Sequence, residues 1–277
     1  MQPFTVKDHS VSQENFKLEF NTSLQMWVTT PQPSTQNLPK YYQTEDYISH
    51  TNTQRNLFEK VYHWVRSYSL QKKMLLINKQ TSKGNLLDIG CGTGNFLQVA
   101  QQHGWKTTGI EPNMDARKIA NTKNNNQVFD IKQLEEFENE SFEVITLWHV
   151  LEHLPNLEKQ VQLFNRLLKP NGLLVIAVPN YNSFDAQHYK QHWAAFDVPR
   201  HLWHFSQKSI ALLFKENFKV VKTTPMKFDS YYVSLLSEKI KTGKMNPLKA
   251  FWIGLCSNFT ALQTSEYSSL IYTLKKQ

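Results

Sequence analysis

Cysteine is nearly absent: Cys91 and Cys256 are the only two in 277 residues, which excludes a disulfide framework and a four-cysteine zinc site. No apolar run approaches the roughly 20 residues needed to cross a bilayer. The opening stretch, MQPFTVKDHSVSQ, lacks the basic segment followed by an apolar one that marks a secretory signal. These absences predict a cytoplasmic protein without a membrane span. Blocks of like charge are missing too. The formal charge of +8 favours acidic partners, whether nucleic acid, an anionic lipid surface or a small acidic substrate. The lysines and arginines are spread along the chain, however, as on a solvated surface, and form no basic tail.

Glycine is also scarce, and its distribution is uneven. Of nine glycines, three (Gly90, Gly92 and Gly94) fall within five positions of LLDIGCGTGNFLQ. With hydrophobic residues at 40% and aromatics at 13%, the chain can build a substantial core and is not globally disordered.

The apolar pattern divides the chain. In residues 1–48, NFKLEF and LQMWVTT alternate around NTS as a β-hairpin, and PQPSTQNLPK follows as a proline-punctuated connector. From Thr51, a predicted N-cap, to about Asn78 the period becomes helical. Strands and helices then alternate. NLLDI, WKTTGIEP, NQVFDI, SFEVITLW and LLVIAVPN read as strands, and GNFLQVAQQHG, NMDARKIANTK and NLEKQVQLFNRLLKPNG as the helices between them. A helix capped by Ser206, the strand FKVVKTT, two helices near 230–241 and 247–262, and a terminal strand SSLIYTLKK complete the pattern. Such alternation predicts a doubly wound parallel sheet covered on both faces.

Gly90, Gly92 and Gly94 sit where the first of these strands turns into its helix, the switch point at which doubly wound sheets bind ligands. A dinucleotide fingerprint reads G-x-G-x-x-G; counted from Gly90, its third glycine would fall at position 95, which is Asn95. Asp88, two residues before the first glycine, would oppose a pyrophosphate and suit a cationic ammonium. Both observations argue against NAD. Glu111 ends the next strand, about 20 residues on, where a carboxylate can accept both ribose hydroxyls. Asp130 follows the third strand, where it could meet an adenine amino group.

With these residues in place, the sequence resembles the class I S-adenosylmethionine-dependent methyltransferases over residues 81–225. LLDIGCGTG matches the glycine motif, GIEPN the acidic ribose motif, FEVITLWHVLEHL the strand and turn beside the cofactor, and LKPNGLLVIAVPN the next helix-to-strand unit. The resemblance implies a Rossmann-like seven-stranded α/β sheet, mostly parallel with a reversed last strand. It implies S-adenosylmethionine as cofactor, released as S-adenosylhomocysteine. Gly90, Gly92 and Gly94 would wrap it, Asp88 would hold its ammonium, Glu111 its ribose and Asp130 its adenine, and Trp148 would line the site. A small β-rich N-terminal appendage (1–48) and helical C-terminal additions within the 49–277 methyltransferase domain complete the expected architecture. The appendage resembles a zinc ribbon that has lost its metal, since no cysteine precedes Cys91.

Methyl transfer to a hydroxyl calls for a base near the transition state. Six of the ten histidines lie between positions 149 and 204. In HVLEHLP, His149, Glu152 and His153 stand at i, i+3 and i+4, on one face if the segment is helical; His149 and His153 are the candidate bases. The alternative is that Glu152 and His153 cap and pack the next helix. The LEHL string resembles ubiquinone-pathway and sugar O-methyltransferases, in which acid and histidine residues help bind a divalent ion. His149 stands where a carboxylate would suit a hard cation better, so no metal is assigned. The aromatic and histidine-rich stretch through WAAFDVPRHLWHFS resembles an acceptor-covering loop, with Trp193, Asp197, Arg200 and His201 on the substrate side. Arg200 presents a planar fork able to bind an acidic group, unless a buried Asp197–Arg200 pair merely holds the loop.

The expected acceptor is a small-molecule or glycan-type compound. A nucleic-acid methyltransferase is the alternative enzyme; the [DNS]-P-P-[YFW] string of amino methyltransferases is replaced by LWHV, and the hairpin has few stacking aromatics beyond Trp27. A non-catalytic cofactor-binding protein is the alternative outside enzymes.

Overall fold

The computed structural model describes residues 1–34, 36–42 and 57–277, apart from the side chains of 57–63. The Thr51 cap and the 48/49 boundary lie outside the described residues. The chain begins with strands β1 (Phe4–Lys7), β2 (Asn15–Asn21) and β3 (Met26–Thr30), then the long helix α1 (Leu57–Asn78). The alternating region follows: β4 (Asn85–Ile89), α2 (Asn95–Gln102), β5 (Lys106–Ile110), α3 (Met114–Lys123), β6 (Val128–Phe129), α4 (Gln133–Glu136), β7 (Phe142–Trp148), α5 (Leu157–Leu167) and β8 (Leu168–Pro179). Last come α6 (Phe184–Tyr189), β9 (Trp203–His204), α7 (Gln207–Phe214), β10 (Phe218–Pro225), α8 (Asp229–Thr242), α9 (Pro247–Thr264) and β11 (Ser269–Lys276).

Seven strands form one sheet in the order β10-β11-β8-β7-β4-β5-β6. From β8 to β6 neighbouring strands are parallel, and β11 runs antiparallel to both β8 and β10. The reversed strand is thus the last in the chain, as expected. Central strands such as β8 are buried almost continuously because helices cover both faces. In α5, Leu157, Val161, Phe164 and Leu167 recur at helical spacing and form its buried stripe. This helix stops at Leu167, before the expected Pro-Asn-Gly, because Pro170 disfavours helical backbone at Lys169; residues 168–172 extend β8 instead. Ser206 caps α7, with Ser209 completing a reciprocal capping box.

The N-terminal strands depart from the simple hairpin of the sequence reading. β1 pairs with β2, and β9 adds a fourth strand through Trp27↔His204 and Val28↔Trp203. Behind this small sheet Val6, Phe16, Leu18 and Trp27 share one core with Trp193, Phe196 and Val198 of the acceptor-side loop. Each such large apolar side chain contributes about 1.5–3 kcal/mol by burial, so the appendage anchors the loop. The two C-terminal helices, α8 and α9, lie between β10 and β11, and α8 leans over the carboxyl ends of the strands. No helix among the described residues is long and apolar enough to cross a membrane.

Candidate cofactor and acceptor site

A cavity of about 1040 Å³ opens at the carboxyl ends of β4 and β7, walled by the glycine loop, α1, α8 and the 194–201 loop. Gly90, Gly92, Asp88 and Trp148 line one end, and His153, Asp197, Arg200 and His201 the other. The glycine loop is pinned from below: the N–H groups of Gly90 and Cys91 both donate to the Ile110 carbonyl, at 2.8 and 3.0 Å. Gly92 has φ +54°, and a Cβ placed there would meet nothing within 4 Å. Its bare backbone therefore faces open space. Gly94 differs: it is the left-handed residue at the start of α2, and a Cβ there would strike the Asn124 side chain at 2.2 Å.

Asp88 is 1% exposed. Burial pushes its carboxyl up to about 7, although the Thr146 hydroxyl donates to it at 2.6 Å and Lys73 lies nearby. Trp148 ends β7, packs edge-on against Phe96 and carries the Lys73 ammonium 4.2 Å from its ring centre. Its Nε1 is buried with no hydrogen-bond partner among the described residues. Burial lowers Lys73 to about 8, against the attraction of Asp229 and Asp88. The glycine-loop end of the cavity thus sets the Lys73 ammonium on the Trp148 face, near the buried Asp88 carboxyl.

Two of the acids assigned to the cofactor stand outside the cavity lining. Glu111 is 1% exposed; its Oε2 accepts from Gly92 N–H and its Oε1 from Asn113 N–H, each at 2.9 Å. Burial raises its carboxyl, opposed by these two N–H groups. Asp130, with a side chain 44% exposed, pairs with Arg117 at 3.1 Å.

The histidine cluster is divided by the backbone. His149 is in the left-handed region (φ 57°) and Leu151–His153 form a 3-10 turn, so His149, Glu152 and His153 do not share a helical face. His149 lies outside the cavity lining, between Glu152 (3.5 Å) and Asp229 (3.3 Å). Burial disfavours its charge, but the hydrogen bonds to Asp229 and Glu152 outweigh this and raise it to about 9. A protonated imidazole has no lone pair to offer, which corrects the expectation that His149 is a base at neutral pH.

His153 does face the cavity. Its Nδ1 lies 3.0 Å from the Arg200 carbonyl and 2.9 Å from the Tyr42 hydroxyl. A carbonyl can only accept, so Nδ1 carries the proton and Nε2 keeps its lone pair. Burial, with repulsion from His201, lowers its pKa to about 4, so it is neutral at pH 7. His201 packs edge-on against it, with ring centres 4.5 Å apart, and its own Nδ1 meets the Ala195 carbonyl at 2.9 Å. Glu152, 1% exposed, is buried between the histidines. Burial raises its carboxyl, but His149 and the neighbouring imidazoles more than offset this and hold it low. Glu152, His153 and His201 each bring one donor atom within 4.8 Å of the others, a grouping not assigned to a metal from sequence. His204, by contrast, is buried beside Thr29 in the small sheet.

The substrate-side assignments also divide. Asp197 and Arg200 line the cavity but are paired with each other: Arg200 Nε donates to Asp197 Oδ2 at 3.0 Å, and Nη2 donates to Oδ1. Nη2 also reaches the Ser10 hydroxyl at 2.8 Å. The fork expected to bind an acidic acceptor is already committed to Asp197. Trp193 is corrected more fully: it is 2% exposed, lies outside the cavity lining and donates to Asp185 Oδ2 at 2.8 Å. Residues missed from sequence enter from distant segments, among them Lys73 on α1, Ser10 and Tyr42 from the N-terminal region, and Tyr232 and Lys239 on α8. Only a helical period marked Lys73, and nothing in its local sequence set it apart from Lys72.

A methyltransferase domain family matches residues 61–223, more than half of the chain. The chain belongs to the class I S-adenosylmethionine-dependent methyltransferases. Among similar proteins is a ubiquinone biosynthesis O-methyltransferase from Histophilus somni (strain 2336), 33% identical over 129 residues, which cover 43% of this chain and 54% of that protein. The chain spans about half the length of the first curated relatives it matches. In fold it is similar to geranyl diphosphate C-methyltransferase from Streptomyces coelicolor A3(2), with TM-score 0.57, 12% identity and coverage of 88% of this chain and all of that one. A methyltransferase from Archaeoglobus fulgidus is similar too, with TM-score 0.53, 17% identity and coverage of 80% of this chain and 100% of that one. The cofactor of this methyltransferase family is S-adenosylmethionine. Residues present here fit it: the open backbone at Gly92, the unpartnered Trp148 Nε1 and the buried Asp88 provide a cradle, an aromatic wall and a counter-charge.

Proposed function

We propose that this chain transfers a methyl group from S-adenosylmethionine to a hydroxyl of a small-molecule acceptor in the cytoplasm. The observation that carries this reading is one cavity with the glycine loop at one end and the neutral His153 at the other. When bound, the cofactor supplies an electrophilic methyl group on a sulfonium. Gly90, Gly92 and Gly94 shape its cradle, Asp88 in its ionised form holds the ammonium end, and Trp148 lines the cation. Glu111 uses two of its roughly four acceptor sites on loop N–H groups, and the other two serve the ribose hydroxyls.

At the far end, His153 Nε2 takes the proton as the acceptor oxygen attacks, while the Arg200 carbonyl holds Nδ1 and fixes the tautomer. Asp197 and Arg200 act as a pair that shapes the acceptor end of the wall, and His201 packs against the base. A base as weak as His153 favours an acidic hydroxyl, such as a phenol of pKa about 10, over a sugar alcohol. A glycan-type acceptor is the second reading, favoured by the polar rim of Ser10, Tyr42 and Arg200.

Calorimetry with S-adenosylhomocysteine, with NAD as control, tests the cofactor assignment, and transfer of labelled methyl from S-adenosylmethionine to phenolic and sugar panels tests the acceptor. The expected result is binding of S-adenosylhomocysteine alone and transfer to phenols. Cofactor binding with no transfer to either panel would favour the non-catalytic partner-binding reading.

A further inference from the structure

Helix α9 is built inside out. Its buried face consists mainly of small residues (Ala250, Gly254, Ser257 and Ala261, with Ile253). At Gly254 the helix lies so close to α8 that a Cβ would fall 2.7 Å from the Tyr231 ring. Its large apolar side chains point outward: Leu248 is 85% exposed, Phe251 58%, Trp252 62%, Phe259 70% and Leu262 65%, with Leu255 between them. At positions 248, 251, 252, 255, 259 and 262 they form one stripe at helical spacing. A water-facing helix normally places such residues inward, and a contiguous exposed patch of this kind marks an interaction surface.

Charge decides what covers it. From position 239 to 265 there are four lysines (Lys239, Lys241, Lys244 and Lys249) and no acidic residue. Residues 241–249, the tip joining α8 to α9, are exposed throughout, so Met245 and Leu248 project between lysines. Lys249 shares its charge with Glu238 at 3.0 Å, and Lys241 lies 6.0 Å from the Tyr189 ring. A second copy of the chain would bring like charges to the same interface. An anionic bilayer would meet both the apolar stripe and the lysines. The 18 residues of α9 are about 27 Å long, but the helix is not apolar enough to cross a membrane and its inner face is tied to α8. It is suited to lie along a bilayer surface.

We propose that α9 and the 241–249 tip dock this protein peripherally on anionic membrane surfaces, with Phe251, Trp252 and Phe259 buried at the headgroup boundary and the lysines against the lipid charge. A groove of about 670 Å³ runs beside this face, lined by Leu255, Phe259 and Leu262 together with Tyr68 and Lys73. Lys73 also lines the cofactor-side cavity. The docking face thus lies next to the site.

Co-sedimentation with vesicles of phosphatidylcholine, with or without about one third phosphatidylglycerol, tests this. The full chain is expected to pellet with the anionic vesicles about tenfold more strongly than with the neutral ones, and less strongly at high salt. L248S/W252S/F259S should abolish pelleting while keeping the melting temperature, because these are among the most exposed side chains of the stripe, whereas Phe251 stacks on Tyr231. K241E/K244E should remove the preference for anionic lipid, and W252F should still pellet. Three results would overturn the proposal: wild type in the supernatant with both vesicles, pelleting unchanged in the triple variant, or a dimer in sedimentation velocity without lipid that the triple variant dissolves.

Discussion

The carboxylate of Glu111, at the end of one strand, accepts a hydrogen bond from the backbone N–H of Gly92, in the turn after the neighbouring strand, at 2.9 Å. One acidic side chain therefore sets the shape of the glycine loop as well as the charge beside it. Glu111→Ala removes two charged hydrogen bonds, each of which contributes about 1.5–3 kcal/mol. Its affinity for S-adenosylhomocysteine should fall by roughly a hundredfold, measured by calorimetry. Unchanged affinity would remove Glu111 from the cofactor site.

The buried Asp88 predicts a pH dependence of cofactor binding. Its carboxyl is pushed up to about 7, and only the ionised form attracts an ammonium. Affinity for S-adenosylhomocysteine should rise between pH 6 and pH 8, and Asp88→Asn should flatten the rise. Stability runs the other way. A carboxyl raised above its unfolded value stabilises the fold fully below the ordinary carboxylate range and loses that contribution as pH rises through about 7. Melting temperatures of the unliganded Asp88→Asn variant should accordingly fall less than those of the wild type over this interval.

His149 and His153 should separate cleanly in experiment. His149, raised to about 9 between Asp229 and Glu152, contributes stability that is fully present below its ordinary value of about 6.5 and lost as pH rises through about 9. His149→Gln should lower the melting temperature by a few degrees at pH 6, and the difference should shrink by pH 10. His153→Ala should leave S-adenosylhomocysteine binding intact and lower kcat by about a hundredfold or more. Equal loss of binding and turnover in His153→Ala would point to a structural role instead.

Asp185 is the buried tie between the acceptor-side loop and the C-terminal helices. It is fully buried and accepts from Trp193 Nε1 at 2.8 Å and from the Ser257 and Ser268 hydroxyls, each at 2.7 Å. Asp185→Ala would leave three buried donors without a partner, at about 1–3 kcal/mol each. Chemical denaturation should show a loss of several kcal/mol, with Asp185→Asn retaining part of the stability because its carbonyl oxygen still accepts.

Elements whose residues carry their own periodicity were legible in advance. The buried run of β8, the amphipathic stripe of α5 and the capped start of α7 each follow from spacing within a dozen residues. The G-x-G-x-G turn with Asp88 and Glu111 was legible for the same reason, since strand, turn and acid are neighbours in sequence or in adjacent strands. The β9 strand was not, because two residues make no periodic signal and their partners, Trp27 and Val28, lie some 175 positions earlier.

Sequence by itself determined the alternation of strands and helices, the glycine turn at the switch point and the acids beside it, because each depends on local backbone preference and on the spacing of apolar side chains. Tertiary structure alone decided which histidine faces the cavity, that Arg200 is spent on Asp197, that Trp193 belongs to Asp185, and that α9 turns its aromatic side chains outward. Those outcomes depend on burial and on partners from distant segments. Burial and partner together set whether an imidazole is charged, whether a guanidinium is free and which face of a helix meets the core.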